Sequence, residues 1–386
     1  MTRRTVSLLG STGSIGVQAI DVIERHRDAF EVIALAAGGS APDVVAQQVR
    51  AVRPSFVAVA REDAVAAVRD ALGDVRGIEI AGGADAVVEA ASRGADVVLN
   101  GITGSVGLRP TLAALASGST LALANKESLV AGGSLVAQAM QRPDQIVPVD
   151  SEHSALAQAL RSGAATEVRA LVLTASGGAF RGWDRARLET VTLEQALTHP
   201  NWDMGPVVTI NSATLVNKAL EVIEAHWLFS MPYERIEVVI HPQSVIHSMV
   251  EFIDGSTIAQ ASPPDMRLPI GLGLSWPDRM DDVARPIDWT RAHEWTFEPL
   301  DHAVFPAIEL ARAAAAASDL HPAVFNAANE QCVLAFTEGR LRFVDIVDTV
   351  RAVVEEYEAP GAITLDAVDD AESFARRRAD ALISAR

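Results

Sequence analysis

Three carboxylates are spaced so that they could converge on one cation. Asp150 and Glu152 are two residues apart, directly after a short apolar run, and Glu221 lies in a stretch with helical periodicity. Carboxylate oxygens suit a hard ion such as Mg²⁺ or Mn²⁺ rather than a structural zinc. A second interpretation stays open, in which Asp150 and Glu152 cap the following helix and Glu221 pairs with Lys218 on one helix face.

A second group of residues suits a phosphate. Ser176-Gly177-Gly178 offers a hydroxyl and backbone N–H groups after a predicted strand, Ser212 is expected at a helix start, and Asn217 and Lys218 follow on that helix. Hydroxyls, amides and one ammonium together would form a small anion site. Taken singly, each residue is more typical of an ordinary turn or cap.

Two further segments occupy positions where α/β proteins bind ligands. Lys126 follows the predicted strand Thr120–Ala124 at a strand-to-helix turn, and ligands bind at that edge of a parallel sheet. His199–Gly205 combines Pro, Gly and Trp202 and predicts a loop. Such a loop either closes over a substrate or stays fixed with Trp202 half buried.

The start of the chain carries a dinucleotide signature. Gly10–Gly16 reads G-x-x-G-x-x-G between a predicted strand, Thr5–Leu9, and a predicted helix from about Val17 to His26. Glycines let the backbone approach a pyrophosphate, and the helix N-terminus offers N–H donors. The second strand ends in Ala37-Gly38-Gly39-Ser40 without a carboxylate before Asp43, which favours NADP over NAD, with Ser40 as a possible donor to the 2′-phosphate.

The elements that position these residues follow two patterns. Up to Asp150, apolar strands alternate with helical stretches, which predicts a doubly wound, Rossmann-like parallel sheet. Beyond it we expect an α+β domain that contains the antiparallel strands Val238–Ile240, Ser244–Phe252 and Ser256–Ala261, the last two joined at Asp254-Gly255. A long helix is expected within Thr209–Phe229.

The last part of the chain divides at Pro306. Ser262–Pro306 is rich in Pro and Trp and has no clear periodicity, so we expect a connector packed on the surface. Helical periods dominate from Ala307. The predicted organisation is a coenzyme domain over residues 1–150, a catalytic and dimerisation domain over 151–280, a connector over 281–306 and a C-terminal helical domain over 307–386.

Net charge and cysteine content exclude some binding partners and some kinds of metal site. The formal net charge is −18, which disfavours nucleic acids and anionic membranes. Cys332 is the single cysteine, so an internal disulfide and a cysteine-based metal site are excluded, and we expect Cys332 in a core. The chain shows no signal peptide and no apolar run long enough for a bilayer, so we expect a cytoplasmic protein.

Longer strings carry a family resemblance. They are GSTGSIG at Gly10–Gly16, LANKESLV at Leu123–Val130, DSEHSA at Asp150–Ala155, SGGAF at Ser176–Phe180, HPNWDMG at His199–Gly205, NSATLVNKALEVIEAHWLF at Asn211–Phe229 and HPQSVIHSMV at His241–Val250. In order and spacing they resemble the 1-deoxy-D-xylulose 5-phosphate reductoisomerase family over essentially the whole chain. The resemblance implies a homodimer that rearranges this sugar phosphate and reduces it with NADPH to 2-C-methyl-D-erythritol 4-phosphate, a step in isoprenoid precursor synthesis.

The resemblance also implies roles for individual residues. Those that would hold the divalent metal are Asp150, Glu152 and Glu221. With Lys126 they form the expected catalytic set. Substrate contacts are expected from Lys126, Ser151, Glu152, Ser176, His199, Trp202, Ser212, Asn217, Lys218 and Glu221. The NADPH site would be lined by Thr12, Gly13, Ser14, Ile15, Gly38, Gly39, Ser40, Asn125, Glu127 and Gly205.

The chain departs from the family pattern at two positions. Gly39 stands where the family often has a basic residue, which leaves the basis of NADPH selectivity open, and Ala179 stands where a proline is common. Metal-assisted chemistry needs no histidine base, so we expect structural roles for His153 and His241. His247, on a predicted strand, faces either the site or the core.

Two alternatives belong to other classes. The first is a plain NADP-dependent dehydrogenase without metal or rearrangement, which metal dependence would distinguish. The second is a dinucleotide-sensing regulator, which would not need the acids at Asp150, Glu152 and Glu221.

Overall fold

The computed structural model describes residues 3–199, 201–202 and 205–386. In this part of the chain the strands are β1 (Arg4–Leu9), β2 (Phe30–Ala37), β3 (Phe56–Val59), β4 (Glu79–Gly82), β5 (Val97–Asn100), β6 (Thr120–Leu123), β7 (Ile146–Pro148), β8 (Val168–Ala175), β9 (Ile236–Ile240), β10 (Ile246–Phe252), β11 (Thr257–Ala261) and β12 (Glu298–Pro299). The α-helices are α1 (Ser14–Arg25), α2 (Pro42–Val52), α3 (Val65–Leu72), α4 (Ala84–Ser92), α5 (Leu108–Ala116), α6 (Lys126–Ala139), α7 (Ser151–Ala159), α8 (Arg185–Leu188), α9 (Leu193–Ala196), α10 (Pro206–Ala213), α11 (Val216–Phe229), α12 (Arg267–Ser275), α13 (Ala307–Ala317), α14 (His321–Thr337), α15 (Asp345–Glu356) and α16 (Leu365–Ser384).

Contacts divide the chain into two compact units. The first is built from the residues up to Ser128 together with Val136–Ser154 and Asp265–Arg285. The second is built from Leu129–Leu135, Ala155–Pro264 and Pro286–Arg386. No helix among the described residues has the length and apolar character needed to cross a membrane.

The first unit holds a seven-stranded sheet in the order β4-β3-β2-β1-β5-β6-β7. Every neighbouring pair is parallel. Its central strands are apolar runs, and all four residues of Phe56–Val59 and of Val97–Asn100 are buried, as expected for a parallel sheet covered on both faces. The predicted doubly wound sheet is therefore confirmed. Its strand order reverses at β1, so the crevice for a ligand opens after β1.

A late helix completes this unit. The expectation of a surface connector over Ser262–Pro306 is wrong at α12, because Pro269–Ser275 is buried. Ile270 and Leu274 are fully buried in the core that lies against α1 and the sheet. Pro269 and two glycines weaken the apolar periodicity of this segment, and that is why the sequence did not predict a helix.

The second unit is built on a mixed five-stranded sheet in the order β11-β10-β8-β9-β12. The β10–β11 hairpin pairs antiparallel, as predicted. The prediction of Val238–Ile240 as an antiparallel strand is confirmed only in part, because β9 pairs antiparallel with the short β12 and parallel with β8. The long helical connection between β8 and β9 returns the chain to the same end of the sheet, which produces parallel pairing.

Helices make up the rest of the second unit. The helical C-terminal part is confirmed, and α14 is buried along most of its length between α15 and α16. The long helix predicted within Thr209–Phe229 is α11, and Leu215, in a left-handed conformation with φ 60°, separates it from α10. Ser212 consequently lies in the last turn of α10 and not at a helix start, which corrects the prediction.

Candidate active site

The turn after β1 is shaped by close backbone contacts. A Cβ at Gly10 would lie 2.5 Å from the carbonyl oxygen of Gly101, and one at Gly16 would lie 2.4 Å from the oxygens of Gly10 and Ser11. Gln48 donates to the carbonyl of Ser11 at 2.6 Å and fixes the turn from the side of α2. Only glycine fits at Gly10 and Gly16, since real Cβ atoms do not approach so closely.

The N-terminus of α1 faces the same turn. Gly13 is its N-cap and supplies no side-chain acceptor for the first N–H groups of the helix. Gly13 and Ser14 are exposed, whereas Thr12 and Ile15 are partly buried. Uncapped N–H groups and the helix dipole favour an anion at this point, so the geometry suits the pyrophosphate of a dinucleotide.

The turn after β2 has a different construction. Gly38 and Ser40 are exposed and Gly39 is buried between them. Gly39 has φ +94°, and a Cβ there would lie 2.7 Å from Cβ of Ala64 and 2.8 Å from Cγ1 of Val59. The turn therefore excludes the basic side chain that the family often places at this position.

Asn125 organises the loops at the carboxyl ends of β5 and β6. Its side chain is 1 % exposed and donates to the carbonyls of Ile102 and Gly104 at 2.8 and 2.9 Å. Glu127 accepts hydrogen bonds from the Asn125 amide at 2.9 Å and from the Gly104 N–H at 3.1 Å. Both residues thus hold loop backbone in place, and a direct contact of either with the coenzyme stays a prediction.

Lys126 and Asp150 form the polar centre of the first unit. The Lys126 ammonium lies 2.8 Å from Oδ2 of Asp150, with 16 % and 17 % of the two side chains exposed. Oδ1 of Asp150 accepts the N–H of Ser151 at 3.0 Å, and the Ser151 hydroxyl donates to Glu152. Asp150 therefore caps α7 and pairs with Lys126 at once, so the helix-capping interpretation and a ligand role are compatible.

In the second unit, Ser176 and His199 form a hydrogen-bonded pair. Nδ1 of His199 accepts the N–H groups of Asn201 and Trp202 at 3.2 and 3.0 Å, so the neutral ring carries its proton on Nε2. Nε2 lies 3.0 Å from the Ser176 hydroxyl oxygen, which also accepts the N–H of Gly178 at 3.1 Å. With two donors on its oxygen, Ser176 keeps its own hydrogen available for an anion.

Gly178 brings Ser212 close to this pair. Its φ is +64°, and a Cβ on it would lie 2.7 Å from the carbonyl oxygen of Ser212. The end of α10 and the Ser176 turn are therefore in backbone contact. The Ser212 backbone therefore lies next to the Ser176 turn, and a part for its side chain in a phosphate site stays a prediction.

Helix α11 presents the third polar group. Asn217 and Lys218 both donate to the Glu221 carboxylate. Lys218 is 3 % and Glu221 0 % exposed. An ammonium and an amide thus hold the Glu221 carboxylate in the interior, and a carboxylate in its charged form is a ligand for metal.

Comparison with known proteins decides the family. Models of the 1-deoxy-D-xylulose 5-phosphate reductoisomerase family match residues 6–133, its C-terminal domain model matches 146–229, and a further DXP reductoisomerase C-terminal domain model matches 261–378. The reductoisomerase of Beutenbergia cavernae is 63 % identical over 389 aligned residues, which cover 100 % of this chain and 98 % of the relative. The chain belongs to this family.

Solved structures of reductoisomerases agree with that assignment. The enzyme of Zymomonas mobilis in complex with NADPH has a TM-score of 0.92 at 42 % identity, with 99 % of each chain covered. A DOX-P reductoisomerase in complex with NADPH, fosmidomycin and magnesium has a TM-score of 0.92 at 33 % identity, with 99 % of this chain and 98 % of that chain covered. Bifidobacterium longum has a relative 59 % identical, with 98 % of each chain covered.

The structure describes four of the seven residues in the motif His199–Gly205. Pro200, Asp203 and Met204 lie outside the described residues, and Gly205 is exposed at the start of α10. The Trp202 ring centroid lies 6.2 Å from that of His247. His247 is 6 % exposed, and its Nε2 lies 3.1 Å from the carbonyl oxygen of Ser262. His247 therefore faces the interior beneath Trp202.

Several further polar residues of the chain have internal partners. Nε2 of His241 accepts the N–H groups of Val245 and Ile246, and Nδ1 donates to the carbonyl of Thr296 at 2.9 Å, which is a structural role. Cys332 is fully buried, and this burial raises the pKa of its thiol to about 12. Further internal contacts on α14 join Asn329 to Asn211 at 2.9 Å and Asn326 to Glu330 at 2.9 Å. His153 is also fully buried.

Proposed function

We propose that this protein converts 1-deoxy-D-xylulose 5-phosphate to 2-C-methyl-D-erythritol 4-phosphate with NADPH and a divalent metal. One observation carries the proposal: Asp150, shortly after β7, pairs with Lys126 at 2.8 Å and stands beside Glu152, so two carboxylates and an ammonium meet at the sheet edge where ligands bind. The buried Glu221 is the third predicted acid. A plain dehydrogenase or a dinucleotide sensor has no use for such a group of acids. Their all-oxygen chemistry fits Mg²⁺ or Mn²⁺.

In this proposal each part of the chain has a separate task. Asp150, Glu152 and Glu221 hold the metal, which when bound supplies Lewis-acid polarisation of the substrate oxygens. Lys126 adds a positive charge at the same point, where it stabilises negative charge that develops on those oxygens. Ser151 orients Glu152 through its hydroxyl. NADPH supplies the hydride, and the glycine turns after β1 and β2 hold it with Thr12, Ile15, Ser40, Asn125, Glu127 and Gly205.

Substrate phosphate is bound remote from the reacting carbons. Ser176 donates its hydroxyl hydrogen, and His199 fixes that orientation through Nε2. Ser212, Asn217 and Lys218 complete the anion site. Because His199 is held by the N–H of Trp202, phosphate binding is coupled to the position of the Trp202 loop.

The test follows NADPH absorbance with purified protein, the sugar phosphate and Mg²⁺ or Mn²⁺. Substrate-dependent oxidation should stop with excess chelator and return when metal is restored. Oxidation that ignores the chelator would favour the plain dehydrogenase. No oxidation with either metal would contradict the proposed substrate.

A homodimer is the proposed assembly. β11 is an edge strand of the second sheet, and its first three residues are exposed. Ile258 is 38 % and Ile253 68 % exposed on the same hairpin. Unpaired strand edges with apolar side chains favour pairing with a second copy. Light scattering after gel filtration should give twice the chain mass, and Ile258→Lys should lower it.

A cytoplasmic location is proposed with it. The single cysteine is buried and has no disulfide partner, which suits a reducing compartment. Cell fractionation should place the protein with cytoplasmic markers, and its recovery with membranes would contradict this location.

A further inference from the structure

The coenzyme site of this chain lacks the basic residue that other family members often carry after β2. Gly39 occupies that position, and its surroundings leave no room for a side chain, since Ala64 and Val59 would lie within 2.8 Å of a Cβ. In doubly wound sheets this turn meets the ribose that carries the 2′-phosphate. A phosphate at this point needs a cation from another element.

Arg61 is the cation that the fold brings to this turn. It directly follows β3 and Ala60, and its N–H donates to the carbonyl of Gly38 at 3.4 Å. Its Cβ is 3.9 Å from the position that a Cβ on Gly39 would take. The Arg61 side chain therefore starts close to the point where a side chain on residue 39 would start.

The guanidinium of Arg61 is available to a ligand. Its side chain is 60 % exposed, and Nε of Arg61 lies 3.4 Å from Oδ1 of Asp63, whose side chain is 79 % exposed. Exposed pairs of this kind contribute little, so an incoming dianion competes well. Ser40 is exposed on the other side of Gly39, and Gly38 has open space around it.

The nearby acids do not block the approach of an anion. Asp43 is exposed in the first turn of α2, and the Glu62 carboxylate lies against Gly83, 2.8 Å from where a Cβ on that glycine would be. No carboxylate is found within Ala37–Ser40 itself, where one would select the ribose hydroxyl of NADH. The local charge therefore favours a phosphorylated ribose.

We propose that Arg61 is the residue that selects NADPH over NADH, by pairing with the 2′-phosphate beside the Ser40 hydroxyl. The inference rests on the proposed function only in so far as NADPH is the coenzyme. Arg61, after β3, would take the role that a basic side chain after β2 has in other family members. Selectivity would then be carried by a different strand than in relatives with a basic residue at position 39.

The experiment measures binding without turnover. Dissociation constants of NADPH, NADH, 2′,5′-ADP and 5′-ADP are obtained by calorimetry on metal-free protein without sugar phosphate. Arg61→Ala should weaken NADPH and 2′,5′-ADP about tenfold, the size expected for a hydrogen bond between charged groups. NADH and 5′-ADP should bind as they do to the wild type. The NADPH preference should also fall as ionic strength rises.

Three variants serve as controls. Arg76→Ala removes an equally charged side chain that is 77 % exposed and should change neither coenzyme. Arg61→Lys should keep part of the preference, because it keeps the charge and loses the planar fork. Asp63→Asn frees Arg61 and should leave NADPH binding equal or tighter.

The outcomes separate this inference from the proposed reaction. Equal loss of both coenzymes in Arg61→Ala, or no loss of NADPH, would overturn the role of Arg61. Wild-type protein that binds NADPH selectively through Arg61 but never consumes the sugar phosphate would contradict the proposed function and leave the inference standing.

Discussion

The glycine turn of the first unit and the Ser176 site of the second unit are both suited to phosphate groups, yet they are made differently. At Gly10 and Gly16 the backbone packs against backbone at distances that exclude any side chain. At Ser176 and His199 the geometry comes from side-chain hydrogen bonds of about 3 Å to neighbouring N–H groups. A site made by the backbone cannot be altered without altering the fold, whereas a site made by side chains can lose function and remain folded.

Glu221→Gln should give the largest effect. It should be an exception to the rule that a site made by side chains can lose function and remain folded. Turnover should fall about 10³-fold, as for other groups that stabilise charge in the transition state. The fold should also be destabilised by about 3 kcal/mol, since Lys218 would keep a buried charge without its carboxylate. Steady-state kinetics and urea unfolding measure the two effects, and Glu237→Gln on the exposed face of β9 is the control. Unchanged turnover would remove Glu221 from the metal site.

Gly16→Ala tests the site made by the backbone, where a change should lower stability and NADPH binding together. A methyl group 2.4 Å from two carbonyl oxygens forces the turn apart, at a cost of about 1–3 kcal/mol in unfolding free energy. NADPH binding should weaken together with the melting temperature. Gly13→Ala is the matched variant, because its Cβ would lie 3.4 Å from the nearest atom and φ is −77°. A Gly16→Ala protein as stable as Gly13→Ala would contradict the steric argument.

Ser176→Ala should change binding of the sugar phosphate alone. KM should rise about tenfold through loss of one hydrogen bond to a charged group. The melting temperature and the NADPH dissociation constant should stay as in the wild type, because the site is made by side chains. His199→Ala should give a similar rise in KM, since it removes the donor that orients the hydroxyl. A loss of NADPH affinity in Ser176→Ala would show that the two sites are not independent.

The smallest expected effect concerns His321, which is far in sequence from both phosphate sites. It is a change in the pH dependence of stability. Burial lowers its pKa below the usual 6.5, and a hydrogen bond with the Tyr357 backbone offsets this only in part. The unfolded chain then binds more protons, so this stabilisation is complete above pH 6.5 and is lost as the pH falls. His321→Phe should reduce the drop in urea midpoint between pH 7.5 and 5.5. An identical drop in wild type and variant would assign the pH dependence to other groups.

The sequence predicted the parts of this molecule that depend on local patterns. The glycine string, the alternation of strands and helices before Asp150 and the Asp254-Gly255 hairpin are of this kind. The pairing of β9 with β8 and the burial of α12 depend on partners distant in sequence, and they were not predicted. Periodicity alone does not state which strand a strand will join.

The residue types of the site were predictable, and their arrangement was only partly so. Ser176, Asn217, Lys218 and Glu221 follow from the chemistry of phosphate and metal binding. The break at Leu215, which moves Ser212 to the end of α10, depends on one left-handed residue that no turn signal marks. The position of Arg61 could not be predicted from the sequence, because its contact with Gly38 joins the ends of β2 and β3, which only the fold brings together.

The late position of α12 has a consequence for biosynthesis. Arg4 in the first strand donates to the carbonyls of Leu274 and Trp276 at 3.3 and 2.9 Å, and Ile270 and Leu274 fill the core of the first unit. On the ribosome, a nascent chain ending before Asp265 would leave this apolar surface open while the second unit is still being made. Chaperones that bind exposed apolar segments would therefore find a target on the first unit until translation has passed Arg285.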